Sequence, residues 1–374
     1  MIGTSRPSTL SEALDPSRNS LNALRLFFAL VVLVSHALKL GGFASGEILS
    51  RTTYGTLAVD GFFALSGYLI AASALRNNLP RYLWLRVVRI VPGFWVCLIV
   101  TAFVLAFVGW RHLCDGPSTG SSYSDFLGVE EGPTGYVLRN ALLTIHQPGI
   151  TDSLDPVNGI WGWNGSLWTI YFEFLCYLMV AVFAVCGILK HRRILLVLSI
   201  LAWLSVSVIV CVPQFNGHFN VGENVDVMLA AQVVPAFLAG CLLYRFNDVV
   251  IDSGWIALGC VALFVGSLFL PVGAFVPAFS LTSSVIAAPL LAYPLLWLGA
   301  HLPLQSVGKT NDYSYGIYLY AFPIEQLLVD FGVQHRGLAV YLGATVLLTA
   351  IFAFGSWWGV ERNAMKLRKL SYGR

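Results

Sequence analysis

Two ionisable side chains lie inside the first long apolar stretch of this 374-residue sequence. Arg25 and His36 are separated by ten residues, and eleven helical steps return to within roughly 20° of the same face, about 16 Å further along the axis. Because an ionisable group costs roughly 2.5–3.5 kcal/mol at mid-bilayer, this spacing favours a polar stripe that faces a cavity. The alternative is that Arg25 extends to the lipid headgroups and His36 hydrogen-bonds a neighbouring carbonyl.

Two carboxylates occupy the second and fourth apolar stretches. Asp60 enters near His36, where a carboxylate would fix the imidazole tautomer and raise its basicity, as a general base requires. The alternative for Asp60 is a helix N-cap. Glu173 lies about two turns deep, so we expect it to face a cavity or a basic partner from another helix. Ser66 and Gly67 are small, which allows close helix packing.

A third group is basic and precedes Pro92 in the third apolar stretch. Arg86 and Arg89 are three residues apart, so they share one helix face, and Arg81 lies just before them. Paired guanidinium groups suit phosphate. The alternative is that these arginines set the topology and contact lipid phosphates.

The composition indicates that membrane helices position these side chains. Hydrophobic residues make up 57% and charged residues 11%, against about 25% charged in soluble proteins, and mean hydropathy is +0.74. These values exclude a disordered chain, a nucleic-acid binder, a coiled coil and an ordinary cytosolic enzyme. Ten stretches are long enough to span a bilayer: 21–40, 54–75, 82–108, 166–189, 194–212, 225–245, 254–270, 275–300, 313–330 and 337–360.

The distribution of Lys and Arg predicts the orientation. Of the 22 basic residues, sixteen fall on one side of the predicted membrane, five on the other, and Arg25 lies within the first stretch. Cytoplasmic segments are enriched in Lys and Arg, so the side with sixteen is predicted to be cytoplasmic. We therefore predict an all-α polytopic membrane bundle of about ten transmembrane helices, N-in and C-in. It forms a single domain over 1–374, with a long outer loop at about 109–165 and a basic cytoplasmic tail at 361–374. The first stretch fits a signal anchor better than a cleaved signal peptide.

Cysteine and histidine spacing indicates neither disulfides nor a metal site. The seven cysteines form no CxxC motif and no outer pair, and no two histidines have ligand spacing. We predict no metal and no permanently bound cofactor. The long outer loop is expected to bind, to act as a lid or to be disordered.

Five motifs, in this order along nearly the whole chain, resemble the acyltransferase 3 family, the integral membrane acyltransferases that modify bacterial cell-surface glycans. They are Arg25 with ten residues before His36, Asp60-Gly-Phe-Phe-Ala-Leu-Ser-Gly67, Arg86-Val-Val-Arg89-Ile-Val-Pro92, Ser166-Leu-Trp-Thr-Ile-Tyr-Phe-Glu173 and Ser314-Tyr-Gly-Ile-Tyr-Leu-Tyr-Ala-Phe-Pro323.

The resemblance implies a ten-helix domain in the bacterial cytoplasmic (inner) membrane. It would move an acyl group, expected to be acetyl, from cytoplasmic acyl-CoA to a hydroxyl of a cell-surface or lipid-linked carbohydrate. The resemblance implies that His36 is the essential catalytic histidine and that Arg25 and Glu173 are further active-site positions. It also implies that the arginines of the third stretch lie on the acyl-CoA side. Many relatives have histidine where this chain has Ala321, so no role is carried over to that position.

The predicted site contains further residues around this core. Asp60 joins the catalytic set as the group that orients His36, and the substrate-binding set contains Arg25, Ser66, Arg86, Arg89, Trp168, Tyr315 and Tyr318. Packing is the better explanation for the two tyrosines.

Two other classes stay open from the sequence alone. A transporter of polysaccharide or lipid-linked glycan would also bury polar residues but would need no CoA, and a non-catalytic partner of a glycan export complex would need no histidine. The residues do not select the acyl donor, the acceptor, an acyl-enzyme or direct route, or the oligomeric state.

Overall fold

The computed structural model describes residues 8–49, 52–113, 126–127, 131–151, 153–154, 162–211, 225–269 and 282–369. These ranges are largely helical, with one short antiparallel ribbon formed by β1 (Glu47–Ile48) and β2 (Thr52–Thr53). The α-helices in chain order are α1 (Leu10–Ala13), α2 (Leu21–Leu40), α3 (Tyr54–Arg76), α4 (Leu79–Val100), α5 (Ala106–Leu113), α6 (Pro133–Asn140), α7 (Trp168–Val185), α8 (Arg192–Cys211), α9 (Val225–Arg245), α10 (Gly254–Ser267), α11 (Thr282–His301), α12 (Ser314–Asp330), α13 (Leu338–Ser356) and α14 (Arg362–Lys366).

A helix is found in each of the ten predicted stretches, so the helical class is confirmed. Within the described ranges, five helices are long and apolar enough to cross a membrane: Leu21–Leu40, Tyr54–Arg76, Leu79–Leu113, Trp168–Val185 and Leu338–Lys369. Helices suit this role because every internal backbone N–H and C=O is paired within the segment. The count of ten spans and the N-in, C-in orientation stay predictions, and the predicted turn at Pro271, Gly273 and Pro277 lies outside the described residues.

The chain divides into two units of packed helices. The first contains Met1–Phe28, Glu47–Leu83 and Phe172–Thr310, and the second contains Ala29–Gly46, Trp84–Tyr171 and Asn311–Arg374. Helix α2 is continuous and contributes its first turns to one unit and the remainder to the other.

The largest helix contact in the first unit joins α3 and α9. Glycines permit it: a Cβ added to Gly67 would overlap the backbone carbonyl of Phe237, and one added to Gly240 would overlap that of Ala64. The Cys241 thiol donates to the Gly67 carbonyl at 3.3 Å. The packing role expected for Gly67 is therefore confirmed, because a side chain at either glycine would force the two backbones apart.

The polar segment before α2 is hydrogen-bonded to the residues that follow α9 and α11. The Leu10 N–H donates to the Val250 carbonyl and the Asp252 N–H to the Ser8 carbonyl, both at 2.8 Å. The Ser20 hydroxyl donates to the Leu302 carbonyl at 2.6 Å. These bonds hold the start of α2 against residues that follow it by more than two hundred positions.

In the second unit, α4 and α5 form one long helix interrupted by a π-helical turn at Thr101–Leu105. Helix α12 packs along α13. Within the predicted outer loop, the Asn140 side chain accepts from the Gln147 N–H at 3.0 Å and donates to the Gln147 carbonyl at 2.8 Å. Much of the remaining loop, and the end of the predicted basic tail from residue 370, lies outside the described residues.

Candidate active site

The His36 imidazole lies in the second unit and is half-buried. Its ring meets Phe322 of α12 edge to face, with centroids 5.1 Å apart and planes at 87°. The Nδ1 atom is buried and has no hydrogen-bond partner among the described residues. The alternative of a histidine bonded to a carbonyl is therefore not seen at Nδ1, and this nitrogen can still accept or donate a proton.

Arg25 lies on the same helix, half-buried, in the first unit. Helix α2 is unbroken from Leu21 to Leu40, so the eleven-residue spacing places Arg25 and His36 on nearly one face, as predicted.

Asp60 is fully buried in the second turn of α3. The N-cap of α3 is Thr53, whose hydroxyl accepts from the Thr56 N–H at 3.0 Å, so the capping alternative for Asp60 is wrong. Gln232 of α9 is the polar side chain that faces the carboxylate, but neither oxygen forms a hydrogen bond of ordinary geometry with a described residue. His36 belongs to the other unit, so its pairing with Asp60 stays a prediction.

Glu173 of α7 is surrounded by hydroxyl groups in the first unit. The Ser66 hydroxyl donates to its Oε1 at 3.2 Å, and the Tyr177 hydroxyl donates to the same oxygen. The sequence predicts a cavity or a basic partner for Glu173, whereas the partner seen here from another helix is the Ser66 hydroxyl of α3, which is not basic. The two residues are 107 positions apart, so only the fold brings them together.

Arg89 is already paired within the second unit. Its Nη2 lies 2.5 Å from Asp312 Oδ2, and its Nη1 lies 3.9 Å from Glu361 Oε2. Ser356 donates to Glu361 at 2.9 Å, and only 12% of the Arg89 side chain is exposed. A phosphate that binds Arg89 must therefore share the guanidinium with two carboxylates. Arg86 is half-buried one turn earlier on α4.

The two tyrosines of α12 make specific packing contacts in the second unit. The Tyr315 hydroxyl donates to the Ile90 carbonyl at 2.8 Å, and Arg89 lies over its ring at 5.5 Å. The Tyr318 hydroxyl donates to the Ser166 carbonyl at 2.9 Å. Both hydroxyls are used by the fold, which favours the packing interpretation. Trp168 begins α7 and is half-buried.

Sequence reasoning missed several polar side chains that surround these residues. Gln232 and Asp312 carry no local signal, because each acts on a residue distant in sequence. Tyr177 had one, since it lies four residues after Glu173 on the same helix. Glu325 had one as well: it is a carboxylate inside an apolar stretch, and it is fully buried with neither oxygen hydrogen-bonded to a described residue. No cluster of three His, Cys, Asp or Glu side chains in the described part of the chain could hold a metal ion.

Known proteins match this chain along nearly its whole length. The family model described as an acyltransferase domain matches residues 18–358. An O-acetyl transferase of Shigella phage Sf6 is 28% identical over 353 residues, covering 92% of this chain and 95% of the relative. Nodulation protein 10 of Rhizobium leguminosarum bv. viciae is 26% identical over 382 residues, covering 94% of each chain. No solved structure matches.

Proposed function

We propose a donor and an acceptor for this protein, which belongs to the acyltransferase 3 family and is an O-acyltransferase of the membrane. It transfers an acetyl group from cytoplasmic acyl-CoA to a hydroxyl of a cell-surface or lipid-linked carbohydrate. The phage relative, an O-acetyl transferase, supports acetyl as the group. The Lys and Arg bias supports a cytoplasmic donor, and the enzyme would lie in the bacterial inner membrane.

The observation that carries this proposal is the state of the His36 ring. A buried polar atom without a partner costs free energy, and His36 Nδ1 is such an atom within the described part of the chain. An acceptor hydroxyl bound at hydrogen-bond distance would satisfy it and would be placed for proton transfer. Phe322 fixes the ring plane from one edge.

In direct transfer, His36 accepts the proton of the acceptor hydroxyl while that oxygen bonds to the thioester carbonyl carbon. The C–S bond then breaks, and the imidazolium returns its proton to the CoA thiolate. In the alternative route, a His36 nitrogen bonds to the acyl carbon, the C–S bond breaks and CoA leaves as the thiol. The acceptor hydroxyl then attacks the acyl carbon, the C–N bond breaks and the imidazole takes the hydroxyl proton. Ping-pong kinetics supports the acyl-enzyme, and a required ternary complex supports direct transfer.

The remaining charged residues take supporting roles in this proposal. Asp60 orients the His36 ring, and Arg25 lies on the same helix stripe towards the cytoplasm. Arg86 binds the CoA phosphates, and Arg89 contributes to this binding while it stays paired with Asp312. Glu173, with its hydroxyl partners Ser66 and Tyr177, orients the acceptor.

The test measures CoA release from labelled acetyl-CoA by the purified full chain in proteoliposomes, with and without a crude glycan acceptor. We expect His36→Ala to abolish release that the acceptor stimulates, and the exposed His191, changed to alanine, to serve as the matched control with wild-type rates. Release that survives His36→Ala, or no release and no binding with acyl-CoA of any chain length, would contradict the proposal.

A further inference from the structure

The first unit contains a pocket of about 360 Å³, and His36 is not among the residues that line it. It lies where three segments meet: the residues that lead into α2, the last turns of α3, and the end of α9 with the residues just after it. Its wall includes Asn19, Leu21, Tyr68, Arg76, Tyr244 and Asn247. The volume falls in the range of small-molecule sites.

The chemistry of the wall selects a planar ligand with negative charge. Tyr68 and Tyr244 meet edge to face with centroids 5.3 Å apart, and Asn247 Nδ2 donates to the Tyr68 hydroxyl at 3.3 Å. Aromatic faces and side-chain amides suit a heterocyclic base. Arg76 is the one charged side chain among the lining residues, so the site favours an anion over a cation.

Arg76 differs from Arg89 in having no ion-pair partner in the described part of the chain. Its side chain is exposed at the pocket mouth. Asn77, the next residue, accepts from Arg81 Nε at 3.0 Å and donates to the Ser73 carbonyl at 2.8 Å. The Arg81 guanidinium is thus bonded to a residue that lines the pocket, although Arg81 does not line it. Arg76 is the guanidinium that the pocket itself offers to a phosphate.

From this geometry we infer that the pocket binds the adenosine end of the acyl-CoA donor, with the ribose 3′-phosphate at Arg76 and the diphosphate left to Arg86 and Arg89. The inference rests on the proposed function, because it names where that donor is held. Leu21 lines the pocket and Arg25 follows it by one helical turn, so a ligand seated here would begin at the predicted cytoplasmic end of the α2 polar stripe.

The test uses adenosine 3′,5′-bisphosphate as the probe, with binding measured by calorimetry on the purified full chain in detergent. We expect Arg76→Gln to raise the Kd by about tenfold, the loss of one charge-assisted contact. Ser73→Trp, which fills the pocket, should abolish binding. Arg193→Gln is the matched control, because Arg193 is exposed in the same unit and does not line the pocket.

Equal Kd values for Arg76→Gln and wild type would overturn the inference. Displacement of the probe by dispersed phosphatidylglycerol at equal phosphate concentration would also overturn it, because the pocket would then bind a lipid headgroup. A lower melting temperature of Arg76→Gln with unchanged Kd would also overturn it, since Arg76 would then only complement the carbonyl end of α3. Wild-type CoA release with no probe binding at the pocket would leave the proposed function standing while the inference fails.

Discussion

Asp60 and Glu173 are both carboxylates on membrane helices of the first unit, yet their surroundings are opposite. Glu173 accepts two hydroxyl hydrogen bonds, from Ser66 and Tyr177. Asp60 is fully buried, and its oxygens form none with the described residues, although Gln232 faces them. A satisfied carboxylate can hold neighbouring helices in place, whereas an unsatisfied one costs free energy and indicates a role outside folding.

The difference between the two carboxylates depends on how closely α3 and α9 pack, because α3 carries Asp60 and Ser66 while α9 carries Gln232.

Gly240→Val should have the largest effect of the changes considered. Its side chain would meet the Ala64 carbonyl, and overpacking of this kind costs about 3 kcal/mol. We expect a large drop in melting temperature and in the yield of monodisperse protein.

The control is Gly259→Val, at a glycine of α10 where an added Cβ meets nothing within 4 Å. If Gly240→Val melts like wild type, the two helices do not cross this closely, and the comparison between the two carboxylates loses its structural basis.

Asp60→Asn should have the next largest effect, on rate and not on folding. The amide keeps the shape but removes the charge that we propose orients the imidazole, so CoA release should fall by about 100-fold, in the range of a general acid–base contribution. The melting temperature should stay level or rise, because a buried unpaired carboxylate is removed.

The pH–rate profile separates positioning from packing. A displaced profile for Asp60→Asn supports action through the histidine, whereas full activity with raised stability would make Asp60 a buried acid without a catalytic role. Asp248→Asn, at an exposed surface ion pair with Arg192, is the charge-matched control.

Glu173 should respond to shape more than to charge. Glu173→Leu leaves two hydroxyl donors without an acceptor and should lower the free energy of unfolding by about 2 kcal/mol. Glu173→Gln keeps an oxygen at the same position and should lose much less, as thermal unfolding in detergent would show. Equal losses for the two variants would mean that the hydroxyl contacts do not stabilise the fold.

Tyr177→Phe should have the smallest effect, about 1 kcal/mol, since one donor to Glu173 is removed and Ser66 remains. A double-mutant cycle with Ser66→Ala measures whether the two hydroxyls act together. Strict additivity would show that they bind Glu173 independently.

The sequence predicts the helices well and their partners poorly. The apolar run at 225–245 becomes Val225–Arg245, because a segment without alternatives for its backbone in lipid must be helical. The same reasoning places Arg25 and His36 on one face, since both lie on one helix. Asp60 shows that sequence reasoning also fails over a few residues. Its capping alternative is wrong because α3 begins earlier, with Thr53 as the N-cap, so that Asp60 lies inside the helix.

Contacts across long sequence distances are invisible to such reasoning. Arg89 pairs with Asp312, 223 positions away, and a run of apolar residues gives no sign of which helices meet. Gln232 escaped notice because a neutral amide in an apolar stretch carries no charge to mark it. Glu325 is a different case, since its charge marks it in the sequence although the predicted site contains only the tyrosines of the same stretch.

The hydrogen bonds between residues 8–10 and 250–252 also set an order of events during synthesis. At about 5–20 residues per second, the ribosome needs roughly 12 to 48 s to reach Val250 after it has made Leu10. The leading segment therefore waits without its native partner while most of the first unit is made and inserted. A binding factor that met the nascent chain in that interval would find Leu10 accessible, whereas in the finished protein Leu10 is buried and donates to the Val250 carbonyl.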